Sequence, residues 1–400
     1  MTSPSPVAAA VRPGESVRLR QVQDPVIPIV ADLIRATPDT ISLGQGVVHY
    51  PPPPQALAAA AAFGDRLSDH HYHPVAGLPE LRAALRAKLA AENRLEVGED
   101  QVLLVTAGSN MGFCHCLLAI ADPGDEVVMM SPFYFNHEMA ATMTNVRPVL
   151  AATDAHGQPS LEAIAAAITP RTRAVVTISP NNPAGVVYEP ERLRAINALC
   201  RERGLYHVSD EAYEYFTYSG HRHLSPGSLP DSAGHTLSLF SFSKGYGMAS
   251  WRVGYLVAPR ALLGALEKIQ DTVLICAPVV SQHAALGALE AGPAYCRGFL
   301  PEIDRARVLC LERLAQLGDR CAILAASGAF YLLARLRTSM PPMALVERLV
   351  REYRVAVIPG SAFGLTAGCY VRIAYGALPP ERVAQGIDRL VDGLDVLLPA

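Results

Sequence analysis

The stretch that decides the fold is Ser241-Phe242-Ser243-Lys244-Gly245-Tyr246-Gly247-Met248, followed closely by Trp251-Arg252-Val253-Gly254-Tyr255. Lysine occurs only three times in this chain of 400 residues, and Lys244 lies between a serine and a glycine, eight residues before Arg252. A lysine amine can form a Schiff base with a carbonyl compound, whereas arginine cannot, and a nearby arginine can bind a phosphate. Taken alone, a solvated lysine in a loop explains the segment equally well.

The composition indicates a packed globular protein without a charge-driven partner. Half of the residues are hydrophobic, 18% are charged, and the formal net charge is −3. Because there is no basic excess, neither nucleic acid nor an anionic membrane surface is an expected partner. There is no apolar run of about 18 residues and no signal-peptide pattern, so no membrane span is predicted.

The eight cysteines are scattered and form no Cys-x-x-Cys pattern. Unpatterned cysteines in a chain of this length are typical of a reducing compartment, which predicts a cytoplasmic protein. Cys114-His115-Cys116 has metal-ligand residue types, but on a helix its two thiols would point to nearly opposite sides. Core cysteines are the favoured interpretation, and no metal site is predicted.

Alternating strand-like and helical patterns predict an α/β protein. Apolar strands are predicted at 101–106, 126–130, 172–178, 205–209, 236–240 and 252–257, and helices at 78–92, 110–121 and 191–204. Continuous apolar strands with crossover helices indicate a mostly parallel sheet that is covered on both faces.

Breaks in these patterns predict the domain organisation. Residues 1–18, rich in Pro, Ser and Ala, are expected to form a flexible tail, and four prolines at 51–54 mark a boundary. The expected parts are an N-terminal portion of a small domain at 19–54, a large domain at 55–290, and the rest of the small domain at 291–400. One long helix over about 281–317 is expected to link the domains.

Polar segments follow several strands, at the edge where open α/β sheets place their ligands. Thr106-Ala107-Gly108-Ser109-Asn110 is a strand-to-helix turn whose N–H groups can hold a phosphate. Asn181-Asn182-Pro183-Ala184-Gly185 is, taken alone, most simply a turn. Asp210-Glu211-Ala212-Tyr213 ends a buried strand, where a carboxylate must either cap a helix or face a cation.

In this order and at these spacings, the segments resemble class I/II aminotransferases of the aspartate aminotransferase superfamily, which are fold-type I enzymes that use pyridoxal 5′-phosphate (PLP). Further matching blocks lie at residues 72–82, 328–331, 357–364 and 371–375, so the resemblance runs from about Ile41 to the C-terminus. It implies a mostly parallel seven-stranded sheet in a large domain, with a smaller α+β domain built from both termini. It also implies transfer of an amino group between an L-amino acid and a 2-oxo acid by a ping-pong mechanism.

The resemblance also implies roles for individual residues. Lys244 would hold PLP covalently and move the substrate proton, and Asp210 would pair with the pyridinium nitrogen. Tyr213 and Asn182 would hydrogen-bond the ring 3′-oxygen, and Tyr134 would stack on the ring. The residues implied in phosphate binding are Gly108, Ser109, Ser241, Ser243 and Arg252, and Asn110 is a further implied cofactor-binding residue.

Substrate binding and assembly are implied in the same way. Arg372 would bind the substrate α-carboxylate, with help from Asn182 and the backbone of Gly46, and Tyr50 would contact the substrate. Tyr72 would reach the phosphate in the neighbouring subunit, which implies a homodimer with shared active sites.

Five positions test how closely the chain follows the family. Ser179, Ala184 and Ala107 depart from its common residues, and each can weaken a supporting hydrogen bond. The resemblance further implies cis peptide bonds at Ser131–Pro132 and Asn182–Pro183, although such bonds are a minority of X–Pro bonds in folded proteins.

A neutral amino acid is the expected substrate. Some relatives that act on aspartate or glutamate carry a lysine two residues after the phosphate-turn glycine, where this chain has Asn110. Residues 47–50 are apolar and aromatic, so an acidic side chain would be buried without a partner. Segments 44–50, 132–136, 214–216 and 268–271 resemble the plant methionine/aromatic aminotransferases, which favours methionine or an aromatic amino acid.

Three alternatives remain open at this point. Two are enzymes on the same fold, an aspartate/glutamate-type aminotransferase and a PLP-dependent C–S β-lyase. The third is a PLP-binding transcription regulator, which needs a helix-turn-helix domain ahead of the fold. Since the first matching segment begins at Ile41, the regulator is the least favoured of the three.

Overall fold

The computed structural model describes residues 14–399, which contain one large sheet, two small sheets and their covering helices. The strands are β1 (Ile41–Ser42), β2 (Gln101–Thr106), β3 (Glu126–Ser131), β4 (Arg147–Ala152), β5 (Thr172–Ile178), β6 (Tyr206–Asp210), β7 (Thr236–Ser241), β8 (Gly254–Pro259), β9 (Cys321–Ile323), β10 (Tyr331–Leu336), β11 (Val355–Ala356), β12 (Ile358–Pro359) and β13 (Cys369–Ala374). The α-helices are α1 (Val26–Arg35), α2 (Pro54–Ala61), α3 (Pro79–Lys88), α4 (Ser109–Ile120), α5 (Phe135–Met143), α6 (Leu161–Ala167), α7 (Pro190–Arg203), α8 (Phe242–Gly245), α9 (Leu263–Val273), α10 (Val279–Ala291), α11 (Pro293–Ala315), α12 (Pro342–Tyr353) and α13 (Pro380–Leu397).

The large sheet has seven strands in the order β2-β8-β7-β6-β5-β3-β4. Strand β8 is antiparallel to both of its neighbours, and the other neighbouring pairs are parallel. The carboxyl ends of six strands therefore meet at one edge, and the amino end of β8 lies at the same edge. This arrangement confirms the mostly parallel seven-stranded sheet predicted from the sequence.

Both faces of the large sheet are covered, because its strands alternate between two apolar cores. Leu104 of β2 packs in a cluster with Phe113 of α4 and Leu266 of α9. Its neighbour Leu103 packs on the other face, in a cluster with Leu85 of α3. Strands that are apolar on both faces read as continuous hydrophobic runs, which explains why the sequence identified them.

The small sheets join residues 41–44 to strands from the last fifth of the sequence. Strands β12, β13, β10 and β9 form an antiparallel sheet, and β1 pairs in parallel with β11. The N–H of Ala374 also donates to the carbonyl of Leu43 at 2.7 Å. Residues 41–44 thus lie against the C-terminal strands, as the predicted fold class requires.

Three features differ from the predictions or lie beyond them. The single helix predicted over 281–317 is two helices, α10 and α11, because Gly292 has φ 68° and Pro293 has no N–H to continue the first helix. Strands β4 and β9 and helices α2, α5, α6, α9 and α12 are among the elements that were not predicted. Of the predicted tail, residues 1–13 lie outside the described residues, and 14–18 are exposed and in neither helix nor strand. The predicted domain boundaries stay predictions.

The loop after β5 is fixed by a glycine that no other residue can replace without strain. Gly185 has φ +67°, and a Cβ at this position would lie 2.2 Å from the carbonyl oxygen of Tyr331. Its N–H donates to the backbone carbonyl of Asn181, and its own carbonyl accepts from the N–H of Gly328, both at 2.9 Å. The glycine therefore attaches the 181–185 loop directly to the segment that leads into β10.

We expect Gly185→Ala to lower the free energy of unfolding by about 3 kcal/mol or more, since it adds a backbone clash to the left-handed conformation. The matched control is Gly204→Ala after α7, where φ is +65° but nothing lies within 4 Å of the added Cβ. That control should cost only about 1–2 kcal/mol. Urea unfolding of both variants measures the difference, and equal costs would show that the 181–185 loop moves aside.

Candidate active site

The candidate site lies at the edge where the carboxyl ends of the parallel strands meet. Asp210 is the last residue of β6, and Ser241 is the last residue of β7. Gly254, at the start of the antiparallel strand β8, pairs with Ser241 on one side and Thr106 on the other. That pairing brings Arg252 to the same edge as Gly108, although almost 150 residues separate them in sequence.

Lys244 lies in α8, the short helix that Ser241 caps by accepting from the N–H of Ser243 at 3.1 Å. Its Nζ donates to the carbonyl oxygen of Gly46. Burial lowers the pKa of Lys244 to about 8, and the positive charges of Arg372 and Arg252 act in the same direction. A substantial fraction of the amine is therefore unprotonated in mildly alkaline solution, which is the form that reacts with a carbonyl group.

Asp210 is buried, with one hydrogen bond from the backbone and one close contact with a histidine. It is 3% exposed, and its Oδ1 accepts from the N–H of Ala212 at 3.1 Å. Its Oδ2 lies 3.1 Å from Nε2 of His137, a buried histidine whose ring stacks on Phe113 with centroids 3.9 Å apart. The carboxylate thus has a fixed orientation, which is what pairing with a cationic ring nitrogen requires.

Tyr213 and Tyr331 form a pair of buried hydroxyl groups 2.8 Å apart. Asn182 Nδ2 donates to the Tyr213 hydroxyl at 3.3 Å. Burial raises the pKa of Tyr213 well above its usual value and that of Tyr331 to about 12. Both phenols therefore remain protonated and can donate hydrogen bonds at neutral pH.

Arg372 on β13 is a preorganised anion-binding group. Its Nη1 donates to Asn182 Oδ1 at 2.9 Å and its Nη2 to the carbonyl of Gly44 at 2.8 Å. The guanidinium lies 4.5 Å from the ring centroid of Tyr331 and 5.0 Å from that of Phe363. Its Nε is buried and has no hydrogen-bond partner within residues 14–399, so the fixed guanidinium keeps a free donor for a carboxylate.

A cradle for a phosphate lies where α4 begins. Gly108 has φ +81° immediately before the helix, and a Cβ there would lie 2.4 Å from Nη2 of Arg252. Helix N–H groups, a guanidinium and the hydroxyl groups of Ser241 and Ser243 form the donor set that binds phosphate groups. These residues therefore fit the phosphate of PLP.

Ten of the fifteen predicted site residues line one cavity of about 100 Å³. Gly46 and Arg372 hydrogen-bond to residues of that lining, and Gly108 directly precedes Ser109. The cavity is lined by Ser109, Asn110, Tyr134, Ile178, Asn182, Asp210, Ala212, Tyr213, Ser241, Ser243, Lys244 and Arg252. Tyr134 is fixed by Asn136, which donates to its hydroxyl at 2.8 Å, and its ring contacts His137 edge-on at 5.2 Å. The cavity thus combines a reactive amine, an aromatic wall and a carboxylate.

Two predicted site residues lie away from this cavity. The Tyr50 hydroxyl donates to the carbonyls of Lys244 at 3.1 Å and Gly245 at 3.2 Å, and its ring stacks on Phe299. Tyr50 therefore lies behind the lysine-bearing helix and contacts its backbone. Tyr72 is 84% exposed, and its contact with a neighbouring subunit stays a prediction.

His137 was not predicted as a site residue, and Tyr331 was assigned no role. Tyr331 lies in the matching block 328–331, so the block itself was a signal, whereas a single histidine in α5 gave none. The departure at Ser179 has a local consequence, since its Oγ accepts from the N–H of Tyr188 at 3.0 Å. Both predicted cis peptide bonds are present, together with a third at Ser179–Pro180.

The comparisons with known proteins agree with this geometry. The family model of the class I and II aminotransferases matches residues 38–390. The aromatic aminotransferase ISS1 of Arabidopsis thaliana is 34% identical over 94% of both chains. A probable aspartate/prephenate aminotransferase of Aquifex aeolicus is 33% identical over 89% of this chain and 91% of its own. A double mutant of the Thermus thermophilus aspartate aminotransferase superposes with a TM-score of 0.86, at 33% identity, over 96% of this chain and all of its own.

The fold and the site define a PLP-dependent transaminase. This chain belongs to the class I and II aminotransferase family, so the predicted enzyme class and the cofactor, PLP, are confirmed. Its substrates are an amino acid and a 2-oxo acid. Within residues 14–399, no helix is long and apolar enough to cross a membrane, and no group of His, Cys, Asp or Glu is placed to hold a metal ion.

The lowered pKa of Lys244 makes stability depend on pH in the cofactor-free protein. Because its pKa is about 8 in the folded state against a usual 10.5, the unfolded chain binds more protons between these values. The contribution of Lys244 to the free energy of unfolding should therefore be least favourable below pH 8 and improve up to about pH 10.5. Relative to Lys244→Met, the wild type should gain stability over this interval in urea titrations.

Lys268→Met, at an exposed lysine, is the matched control and should follow the wild type throughout. A stability difference between wild type and Lys244→Met that stays constant from pH 7 to about 10.5 would contradict the lowered pKa.

Proposed function

We propose that this aminotransferase binds PLP on Lys244 and acts on a neutral L-amino acid, with methionine or an aromatic amino acid as the donor. The observation that carries the proposal is the meeting of Lys244, Asp210 and Tyr213 in one cavity, beside the fixed guanidinium of Arg372. The contacts of these four residues are consistent with the roles predicted from the sequence, and those roles form part of the proposal.

Bound PLP supplies an electron sink that stabilises negative charge at the substrate Cα. Asp210, whose Oδ1 accepts from the N–H of Ala212, would hold the proton on the ring nitrogen, and Tyr213 and Asn182 would donate to the ring oxygen. Arg372 binds the α-carboxylate, which fixes the Cα–H bond relative to Lys244. The amine of Lys244 would serve as the base for the Cα proton and as the acid that gives a proton back, since a lysine with a pKa near 8 can do both.

The choice of a neutral substrate rests on the groups around the cavity. Asn110 lines the cavity at the position where some acid-selective relatives carry a lysine, and it offers an amide but no charge. Arg252 and Arg372 are the arginines beside the site, and the proposal assigns them to the phosphate and the α-carboxylate. An acidic side chain would then be buried without a cation.

A second candidate is an aminotransferase for aspartate or prephenate, because several relatives carry those names, including the Aquifex aeolicus and Thermus thermophilus proteins. A PLP-dependent C–S β-lyase remains the third. A screen of single half-reactions with individual amino acids separates the three candidates. The amino acid that reacts distinguishes the two aminotransferases from each other. A lyase releases pyruvate, ammonia and a thiol, whereas a transaminase leaves the cofactor in its amine form.

We further propose a homodimer in which Tyr72 reaches the partner's phosphate site. The support is the exposure of two apolar side chains in one segment, Tyr72 at 84% and Leu67 at 76%. A cytoplasmic location is proposed because all eight cysteines are free, six of them buried. The domain division at residues 54 and 290 is proposed because most of the apolar cluster around the small sheets comes from residues 26–50 and 296–398.

The cofactor linkage is tested by borohydride reduction of the PLP-bound protein. We expect the label on Lys244, because its amine lies in the cavity, and turnover should fall by several orders of magnitude in Lys244→Ala. Lys244→Ala should still bind PLP noncovalently through Arg252 and Asp210. Peptide mapping identifies the labelled lysine, and labelling at Lys88 or Lys268 would refute the assignment.

The substrate preference is tested by comparing kcat/KM for methionine, phenylalanine and aspartate. The wild type should prefer the neutral donors, and Asn110→Lys should shift the ratio toward aspartate by supplying a cation. Asn110→Gln is the matched control, since it lengthens the side chain without adding charge. A wild-type preference of about tenfold or more for aspartate, equivalent to about 1.4 kcal/mol, would refute the neutral-substrate proposal.

A further inference from the structure

Lys88 is a buried lysine that the proposed reaction does not use. Its side chain is 5% exposed, and Nζ lies 2.6 Å from both carboxylate oxygens of Glu214. The rings of Tyr215 and Phe240 lie 5.3 and 5.1 Å from the same nitrogen. A charge buried this deeply is tolerated only with a partner, so Lys88 and Glu214 depend on each other.

The backbone after Lys88 is shaped to complete this pair. Helix α3 ends at Lys88 and continues as one π-helical turn, Leu89–Asn93, a rare geometry that is often found at functional sites. The turn places the Asn93 carboxamide oxygen 2.8 Å from Lys88 Nζ. The Asn93 amide donates to Glu214 at 2.7 Å and to the Ser225 hydroxyl at 2.9 Å.

Ser225 extends the network to a second buried glutamate. Its hydroxyl donates to Glu211 Oε2, and His223 Nε2 lies 2.8 Å from the same oxygen. Glu211 is completely buried. Glu211 directly follows Asp210 in sequence, and Glu214 directly follows Tyr213. Both glutamates are therefore fixed by one network, which runs from Lys88 through Asn93 and Ser225 to His223.

The network and the candidate active site lie on opposite sides of one short segment, residues 210–214. Asp210 and Tyr213 line the candidate cavity. Glu214 instead lines a second cavity of about 520 Å³, together with Asn93 and His223. The ion pair with Lys88 and the hydrogen bond from Asn93 that fix Glu214 therefore also restrain Tyr213, the residue before it.

Tight turns make residues 210–214 rigid, so a shift of Glu214 also shifts Tyr213. The N–H of Glu214 donates to the carbonyl of Glu211 at 3.0 Å, and the N–H of Phe216 donates to the backbone carbonyl of Tyr213 at 2.8 Å. The N–H of Glu211 is bonded to Leu239 of β7 at 2.8 Å. A displacement of the Glu214 carboxylate is thus carried into the position of Tyr213 rather than absorbed in a loose loop.

We propose that Lys88 is a positioning residue, whose ion pair with Glu214 holds the Tyr213 hydroxyl in place beside the bound cofactor. This inference rests on the proposed function, because the contact of Tyr213 with the cofactor is part of it. A hydrogen bond from Tyr213 favours the unprotonated form of the link between Lys244 and PLP. Weakening the ion pair should therefore make that link easier to protonate.

The test is a pH titration of the visible absorbance of the PLP-bound enzyme. Lys88→Met leaves a buried carboxylate unpaired and can fail to fold, so the deciding variant is Lys88→Met/Glu214→Gln, in which both charges are removed. We expect it to fold and bind PLP, and its titration midpoint should rise by about half to one pH unit, the equivalent of one ordinary hydrogen bond. Its kcat should fall severalfold with little change in KM. Lys268→Met, at the exposed lysine, is the control and should titrate like the wild type.

A folded double variant with the wild-type midpoint and kcat would overturn the proposal. If the double variant does not fold, Lys88→Arg decides, since it keeps the charge but must displace Glu214 with a wider head group. A wild-type midpoint in Lys88→Arg would then overturn the proposal. Failure of the proposed function is distinguishable, because the wild type itself would lack transamination or borohydride labelling of Lys244.

Discussion

The structure depends on one electrostatic constraint, which is the burial of a lysine amine beside two arginines. Lys244 lies near Arg252 and Arg372, and Asp210 is the carboxylate that lines the same cavity. Burial and the two like charges lower the lysine pKa to about 8, because each disfavours the protonated amine. Without anions this cluster is destabilising, and with a phosphate and a carboxylate it becomes a binding site. The residues therefore favour ligands that carry both groups, which is the chemistry of an amino acid bound to PLP.

The fold satisfies this constraint by distributing the charges over separate elements. Lys244 follows β7, Asp210 ends β6, Arg252 precedes the antiparallel strand β8, and Arg372 comes from the small antiparallel sheet. No two of the three cations lie on the same strand, so each can be held by its own hydrogen bonds. Arg372 is fixed by Asn182 and Gly44, and Arg252 bonds the carbonyl of Ala249 at 2.8 Å. Rigid attachment keeps like charges at a fixed separation, where a flexible loop would let them move apart.

Much of this arrangement was predictable, because the residues that make it lie at the ends of strongly apolar strands. The strands at 101–106 and 172–178 were predicted with their observed bounds, and the cavity residues follow directly after such strands. Strand β4 and helix α5 were not predicted. Strand β4 gives a weak signal because it is half exposed and lacks a continuous apolar run. His137 escaped for a different reason, because its contact with Asp210 joins elements more than 70 residues apart. Tyr50 was placed in the site by local motif, whereas tertiary packing turns its hydroxyl toward the backbone of Lys244.

The same charge balance bears on substrate choice. In the proposed complex, the phosphate is matched by Arg252 and the start of α4, and the α-carboxylate by Arg372. Lys244 contributes no lasting positive charge, because it must lose its proton to react. Asn110 presents a neutral amide to the cavity. A second carboxylate would therefore lose its hydration without gaining a partner, while an apolar side chain has no such penalty. Since transition-state binding decides kcat/KM, this penalty acts on selectivity even when both kinds of donor can bind.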